Sequence, residues 1–137
     1  MSSLLNTPEV SVIGLGFVGG AMYKSFLDKK ISVFGYDKYN KDIDMGPLDL
    51  CLKTNISFLC LPTLFNKDTK SYDKSAINNV CSFLNEKKYQ GSVVLKSTVE
   101  PQTVNKLCDK YPNLHFVHNP EFLTARTAYH DFHNQTH

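Results

Sequence analysis

Three glycines and one aspartate have the spacing in this sequence that predicts the most specific chemistry. Residues 14–19 read Gly-Leu-Gly-Phe-Val-Gly, a GxGxxG pattern that follows a β-branched run and precedes a helical pattern. In that context the first glycine permits a tight turn, the second lets the backbone approach a pyrophosphate, and the third lets the helix pack closely on the strand. The N–H groups at the start of the helix favour phosphate. The pattern predicts a dinucleotide site with cofactor-binding residues Gly14, Gly16, Phe17, Val18 and Gly19.

Asp37 stands where the acidic residue of such a site belongs, at the end of the second predicted strand. Its carboxylate can accept hydrogen bonds from both hydroxyls of the adenosine ribose. Because a carboxylate repels a 2′-phosphate, the sequence predicts NAD rather than NADP, a preference that the neighbouring Lys38 weakens slightly. The alternative is that the glycines form only a turn and that Asp37 merely caps a strand.

Strand-like and helix-like segments alternate along the whole chain. That alternation predicts βαβ units, a parallel sheet and helices on both faces, which is an α/β, Rossmann-like doubly wound fold within one domain. A short helical turn is expected over 48–52. Strands are predicted at 10–13, 31–36, 55–61, 91–95 and 114–117, and helices at 17–27, 75–84 and 102–108.

Composition excludes several classes of function. The 137 residues carry a net charge of +2 without a basic stripe, which argues against a nucleic-acid partner. No apolar run approaches the roughly 20 residues of a membrane span, and the first residues do not resemble a signal peptide. We therefore expect a cytoplasmic protein without a membrane partner. The four cysteines match no metal-binding spacing, and we expect them to be buried thiols.

Three further motifs resemble the UDP-glucose/GDP-mannose dehydrogenase family over nearly the whole chain. Residues 58–63 read Phe-Leu-Cys-Leu-Pro-Thr, similar to the family's strand ending in Pro-Thr-Pro, although Leu64 replaces the last proline. Residues 96–99 read Lys-Ser-Thr-Val, and residues 119–123 read Asn-Pro-Glu-Phe-Leu, the most specific of the three. All follow predicted strands, where ligands bind in doubly wound sheets.

The resemblance implies an NAD-dependent oxidation of a sugar-nucleotide 6-hydroxyl to the uronic acid, through a cysteine-bound thioester. Thr98 would help to hold the catalytic water, and Glu121 would be the acid/base group. UDP-glucose is the expected substrate, although this sequence does not distinguish it from GDP-mannose. The resemblance adds Pro62, Thr63 and Ser97 to the cofactor site and assigns Glu121, Phe122 and Leu123 to the sugar-nucleotide cleft.

The residues themselves leave alternatives open. Glu121 could be a general base or a carboxylate favoured by a helix N-terminus. Thr98 could be an ordinary N-cap. We expect Lys96 to be a solvated strand end rather than a catalytic group. The five histidines crowd the C-terminus, but they lack paired helical spacing with a carboxylate, so we expect no metal site.

The sequence also departs from the family. Ala125 stands where the family carries a glutamate that approaches the cofactor. None of the four cysteines has the family's glycine-rich nucleophile context. We expect that residues 1–137 include neither the family's central helix nor its sugar-nucleotide-binding domain. We interpret residues 1–137 as a partial NAD-binding domain, incomplete at its C-terminal end, and expect that it is not catalytically complete alone.

Three functions therefore remain open. The chain could be the NAD-binding portion of the dehydrogenase, completed by a partner chain, a homo-oligomer or a longer polypeptide. It could be a stand-alone or vestigial NAD-binding module. It could also be a relative of the short hydroxyacid dehydrogenases, against which the Asn-Pro-Glu-Phe-Leu run argues.

Overall fold

Five parallel strands form the sheet at the centre of the molecule, in the order β2-β1-β3-β6-β7. The computed structural model describes residues 8–40, 46–120 and 133. The predicted α/β, Rossmann-like fold is confirmed. The strands are β1 (Val10–Ile13), β2 (Val33–Tyr36), β3 (Ile56–Leu59), β4 (Phe65–Asn66), β5 (Ser71–Tyr72), β6 (Ser92–Leu95) and β7 (His115–His118), and the helices are α1 (Phe17–Asp28), α2 (Ser75–Glu86) and α3 (Thr103–Lys110).

The register of the sheet divides its residues between two hydrophobic layers. Val12, Phe58 and Val94 are direct neighbours across three strands, and Val12 and Phe58 pack with Met22 of α1 on one face. The adjacent row alternates to the opposite face, where Leu59 and neighbouring side chains pack against α2 and α3. Buried on both faces, the central strands need the apolar, β-branched sequences that identified them.

One face of the outer strand β7 is only partly covered. Val117 is the neighbour of Val94 and continues the row of Val12, Phe58 and Val94 across the sheet. Helix α1 covers this row near the centre of the sheet, but Val117 is 49% exposed. Within the described part of the chain, β7 pairs with β6 on one side only. None of the described helices is long and apolar enough to cross a bilayer.

Two connections were predicted with different success. The expected turn over 48–52 is a 3₁₀ helix, Leu48–Lys53. The hairpin of β4 and β5 has no counterpart in the prediction, because strands of two residues are too short to show a period. Phe65 and Tyr72 face each other across this hairpin, with their ring centroids 5.1 Å apart.

Candidate functional site

The strand order of the sheet reverses between β1 and β3, and the space outside the carboxyl ends of these strands is called the crevice below. The chain passes from β1 outward to β2 and then returns to β3 on the other side of β1. In open α/β sheets, ligands bind outside the carboxyl ends of the strands at such a switch point. The turn of residues 14–16 follows β1, and residues 60–63 follow β3, so the predicted glycine motif and the Pro-Thr motif meet at this crevice.

Gly14 and Gly19 are required by close backbone packing at the crevice. Gly14 has a φ of +97°, and a Cβ added there would lie 2.5 Å from the carbonyl oxygen of Cys60. A Cβ on Gly19 would collide with the carbonyl oxygen of Gly14. The strand, turn and helix therefore approach each other more closely than any other residue type would allow.

The N-terminus of α1 faces the crevice without a side-chain cap. Gly16 is the N-cap residue and has no side chain to accept the first N–H groups, and the first turn carries no acidic residue. A Cβ on Gly16 would meet nothing within 4 Å, and Phe17 is 72% exposed. Open space in front of unsatisfied helix N–H groups is suited to an anionic group such as a pyrophosphate.

Asp37 joins the glycine turn to the end of β2. One carboxylate oxygen, Oδ2, accepts the backbone N–H of Leu15 at 2.8 Å. The other, Oδ1, accepts the N–H groups of Tyr39 at 2.9 Å and Asn40 at 3.2 Å. These bonds fix the carboxylate beside the turn and leave acceptor capacity chiefly on Oδ2. The arrangement can bind a ribose hydroxyl next to the helix N-terminus.

Hydroxyl groups connect the loops that follow β3 and β6. The Ser97 hydroxyl donates to the carbonyl of Leu61 at 2.7 Å, and the Thr63 hydroxyl donates to the carbonyl of Thr98 at 2.6 Å. Ser97 is buried and Thr98 is exposed. Pro62, Thr63, Ser97 and Thr98 are thus brought together at the same edge of the sheet as the glycine turn, on the side away from Asp37.

Lys96 is a correction to the sequence prediction. Its residue is only 5% exposed, so it is not a solvated strand end. It follows β6, and its N–H donates to the carbonyl of Leu59 at 2.9 Å, so its backbone lies beside the end of β3. The apolar run of β6 ends at Leu95, so the sequence carried no sign that the next residue is buried.

Residues beyond β7 are described only in part. Glu121, Phe122, Leu123 and Ala125 lie outside the described residues. His118, the last residue of β7, has a buried Nε2 atom without a hydrogen-bond partner among the described residues. Among all the residues that the structure describes, no group of three His, Cys, Asp or Glu side chains could hold a metal ion.

The cysteines differ from one another in burial. Cys51 and Cys81 are fully buried, and burial raises the pKa of each thiol to about 12, which disfavours the nucleophilic thiolate. Cys60 is half-buried under the glycine turn, with its Sγ 3.7 Å from the sulfur of Met22. Cys108 is exposed on α3, so the expectation of four buried thiols is confirmed for Cys51 and Cys81, only partly met by Cys60 and wrong for Cys108.

A second concave region lies at the opposite end of the sheet. A groove of about 330 Å³ is lined by residues 52–55 and 87–92, which precede β3 and β6. Ligands of doubly wound sheets bind at the carboxyl ends of the strands, so this groove is not the predicted dinucleotide site.

Comparison with protein families gave a match over most of the chain. The model of the UDP-glucose/GDP-mannose dehydrogenase family, NAD binding domain, matches residues 49–137. The matched part contains all three motifs on which the resemblance was based. It does not include the glycine turn and Asp37, which are therefore supported by their geometry. The comparison with curated proteins gave no match.

Several solved structures are similar in fold to this chain. A ternary complex of GDP-mannose dehydrogenase from Pseudomonas aeruginosa has a TM-score of 0.74 and 25% identity, over 90% of this chain and 38% of that chain. A reductive aminase from Aspergillus terreus in complex with NADPH has a TM-score of 0.66 at 14% identity, over 88% of this chain and 43% of that chain. An imine reductase from Bacillus cereus has a TM-score of 0.63 at 20% identity, over 81% of this chain and 39% of that chain. The chain thus spans less than half the length of these proteins, and the last two support the fold alone.

Proposed function

We propose, from the premise that this chain belongs to the UDP-glucose/GDP-mannose dehydrogenase family, that it is the NAD-binding portion of an oxidoreductase acting on the 6-hydroxyl of a sugar nucleotide. The resemblance expected from the motifs is confirmed, and NAD is the cofactor of the matched domain. The observation that carries the proposal is the glycine turn, which adjoins the motifs of the matched region at the sheet's switch point.

The geometry suggests how the cofactor would lie. Asp37 would accept a hydroxyl of the adenosine ribose, and the uncapped N-terminus of α1 would hold the pyrophosphate. The nicotinamide half would then extend from β1 toward β3 and β6, where Pro62, Thr63 and Ser97 lie. A nicotinamide there would accept hydride from the substrate.

The substrate and its catalytic residues are inferred from the family. We favour UDP-glucose, with GDP-mannose as the alternative that the similarity to GDP-mannose dehydrogenase supports. Thr98, exposed at the end of β6, would help to hold the catalytic water. Glu121 would act as acid/base group, and Glu121, Phe122 and Leu123 would contact the sugar nucleotide. We place the reaction in the cytoplasm.

Residues 1–137 would form a partial domain of that oxidoreductase. The half-exposed Val117 on β7 supports an additional segment of polypeptide against the sheet, from a longer chain, a partner chain or a second copy. The alternative function is a stand-alone or vestigial NAD-binding module without dehydrogenase activity. The burial of Cys51 and Cys81, which raises the pKa of both thiols, favours this alternative for the isolated chain.

Calorimetric titration of the purified chain with NAD, with NADP as the control, tests the proposed function. We expect NAD to bind and NADP to bind more weakly, because Asp37 repels the 2′-phosphate. A chain that is folded by circular dichroism and releases no heat with either dinucleotide would contradict the proposal.

A further inference from the structure

Glu100 connects three elements beside the crevice. Its Oε1 lies 2.9 Å from the Nζ of Lys74, just before α2. Its Oε2 accepts the backbone N–H of Tyr72 in the hairpin at 3.2 Å, and the Thr103 hydroxyl at the start of α3 donates to Oε1 at 3.4 Å. The pKa of Glu100 is about 2, far below its ordinary value, because the ionised group accepts a hydrogen bond from Lys74, the largest cause, and backbone hydrogen bonds from Glu100 itself and from Tyr72.

The hairpin segment is tied to one loop at both of its ends. At its start, the Thr63 hydroxyl donates to the carbonyl of Thr98 at 2.6 Å. At its end, Tyr72 donates to Glu100, two residues further along the same loop. Residues 63–72 therefore form a closed segment attached to residues 98–100, and its own pairing, β4 with β5, spans only two residues on each side. So short a hairpin depends on such external contacts for its conformation.

We propose that Glu100 is a positioning residue for the nicotinamide half of the cofactor. It holds Thr63 and Thr98 in place by fixing the hairpin against the loop that follows β6. This inference rests on the proposed function, since it presupposes that NAD occupies the crevice. The hydrogen bonds of Glu100 go to the hairpin and to the starts of α2 and α3, not to the glycine turn or Asp37. We therefore expect its influence to be restricted to the β3 and β6 side of the site.

That restriction provides a test with two ligands. NAD occupies the whole site, whereas ADP has only the adenosine and pyrophosphate groups that Asp37 and the N-terminus of α1 would bind. The Kd values of both ligands would be measured by calorimetry for the wild type, Glu100→Ala and Glu100→Gln. Glu86→Gln, an exposed carboxylate at the end of α2, is the matched control.

We expect Glu100→Ala to raise the Kd of NAD about three- to tenfold, the range of one hydrogen bond's contribution, and to leave the Kd of ADP unchanged. Glu100→Gln keeps an acceptor for the Tyr72 N–H but loses the ion pair, so it should recover part of the affinity. The Glu86→Gln control should match the wild type for both ligands.

The outcomes separate the two proposals. A wild type that binds neither NAD nor ADP overturns the proposed function. If the wild type binds both ligands, two results for Glu100→Ala overturn only the role of Glu100. One is an unchanged affinity for NAD, and the other is an equal loss of affinity for NAD and for ADP. If Glu100→Ala does not fold, Glu100→Gln and Lys74→Met carry the same comparison, and an unchanged ratio of NAD to ADP affinity in both overturns the inference.

Discussion

Gly16 differs from Gly14 and Gly19 in what a methyl group at each position would meet. At Gly14 and Gly19 the added carbon collides with backbone carbonyl groups, whereas at Gly16 it meets nothing within 4 Å. The first two glycines are thus needed by the fold itself. Gly16 is not, and the open space beside it is where the proposed site would hold a pyrophosphate.

Gly16→Ala and Gly19→Ala should therefore separate binding from stability. We expect Gly16→Ala to unfold at the wild-type temperature while its NAD affinity falls, because the methyl group enters the space of the pyrophosphate. Gly19→Ala should lose about 2–3 kcal/mol of stability through overpacking against backbone. Thermal unfolding and NAD calorimetry on both variants check this. Wild-type NAD affinity in Gly16→Ala would argue against a pyrophosphate at the turn.

Asp37→Asn should weaken NAD binding about tenfold or more, since hydrogen bonds to a charged acceptor are among the stronger ones. An amide has one acceptor oxygen, so it cannot serve the N–H groups of both Leu15 and Tyr39 as the carboxylate does. It also removes the charge that repels a 2′-phosphate, so the ratio of NAD to NADP affinity should fall. Asp109→Asn, on the exposed surface of α3, is the control. An unchanged NAD to NADP ratio in Asp37→Asn would contradict the assigned role.

The sequence could indicate these single residues because a turn glycine and a carboxylate at a strand end depend on neighbours within one βαβ unit. The geometry of the turn and of Asp37 agrees with the motif, and the cofactor-binding roles of these residues stay predictions. The burial of Lys96 and the contacts of Glu100 with Tyr72 and Lys74 depend on residues brought together from distant parts of the chain, so spacing could not predict them. The site roles of Glu121, Phe122 and Leu123 stay predictions.

Among the elements, the sheet contains a buried polar cluster on the side away from the crevice. The Ser57 hydroxyl donates to the Tyr89 hydroxyl at 3.1 Å, and it lies 2.7 Å from the Ser11 hydroxyl. Thr54 donates to the carbonyl of Cys51 at 2.6 Å and lies 3.4 Å from Tyr89. These polar residues interrupt otherwise apolar strands, and their mutual bonds make their burial tolerable.

Tyr89→Phe should lower the free energy of unfolding by about 1–2 kcal/mol, because it removes the acceptor of a buried hydroxyl. Its NAD affinity should equal that of the wild type, since Tyr89 lies before β6 and the crevice lies after it. Denaturant unfolding and NAD calorimetry measure the two quantities. Tyr39→Phe, at an 80% exposed position, is the control for stability. If Tyr89→Phe and Tyr39→Phe have equal free energies of unfolding, the Tyr89 hydroxyl contributes nothing to stability.

Glu100 should make the attachment of the hairpin dependent on pH. Its pKa falls from an ordinary 4.5 to about 2 on folding, so its stabilising contribution is fully present above about 4.5 and is lost as the pH falls toward 2. The difference in melting temperature between the wild type and Glu100→Gln should therefore be largest near neutral pH and shrink over that window. Hydrogen bonds from Ser75 lower the pKa of Asp73 as well, and the comparison with Glu100→Gln removes that shared contribution. If the difference in melting temperature is constant from neutral pH to about 2, the ionised form of Glu100 is not what stabilises the hairpin.

The strands were easier to predict than the hairpin for a physical reason. The central strands β1, β3 and β6 are short, largely apolar runs that are buried on both faces, and burial leaves a clear pattern. Each strand of the hairpin is only two residues long, β4 is exposed and β5 half-buried, and Glu100 holds the hairpin from outside. Its conformation is therefore specified by a contact that no local pattern contains.

At the scale of the whole molecule, the described residues belong to an NAD-binding domain, and their thiols offer little for covalent chemistry. The thiols of Cys51 and Cys81 are buried and protonated, and Cys108 lies on the outer surface of α3. The thioester route of the family requires an activated thiolate that reaches the substrate. The chain spans 38% of the length of the GDP-mannose dehydrogenase that it resembles.

The 137-residue chain incubated with NAD and UDP-glucose should therefore bind NAD and form no NADH. The measurement is NADH absorbance over time, with GDP-mannose as a second substrate and a complete dehydrogenase of the family as the positive control. NAD titration of the same preparation shows whether the cofactor site is formed, because a chain that binds NAD without turnover differs from one that is unfolded. Sustained NADH formation that Cys60→Ser abolishes would mean that the half-buried thiol beneath the glycine turn can act as the nucleophile, and the chain would then be an enzyme in its own right.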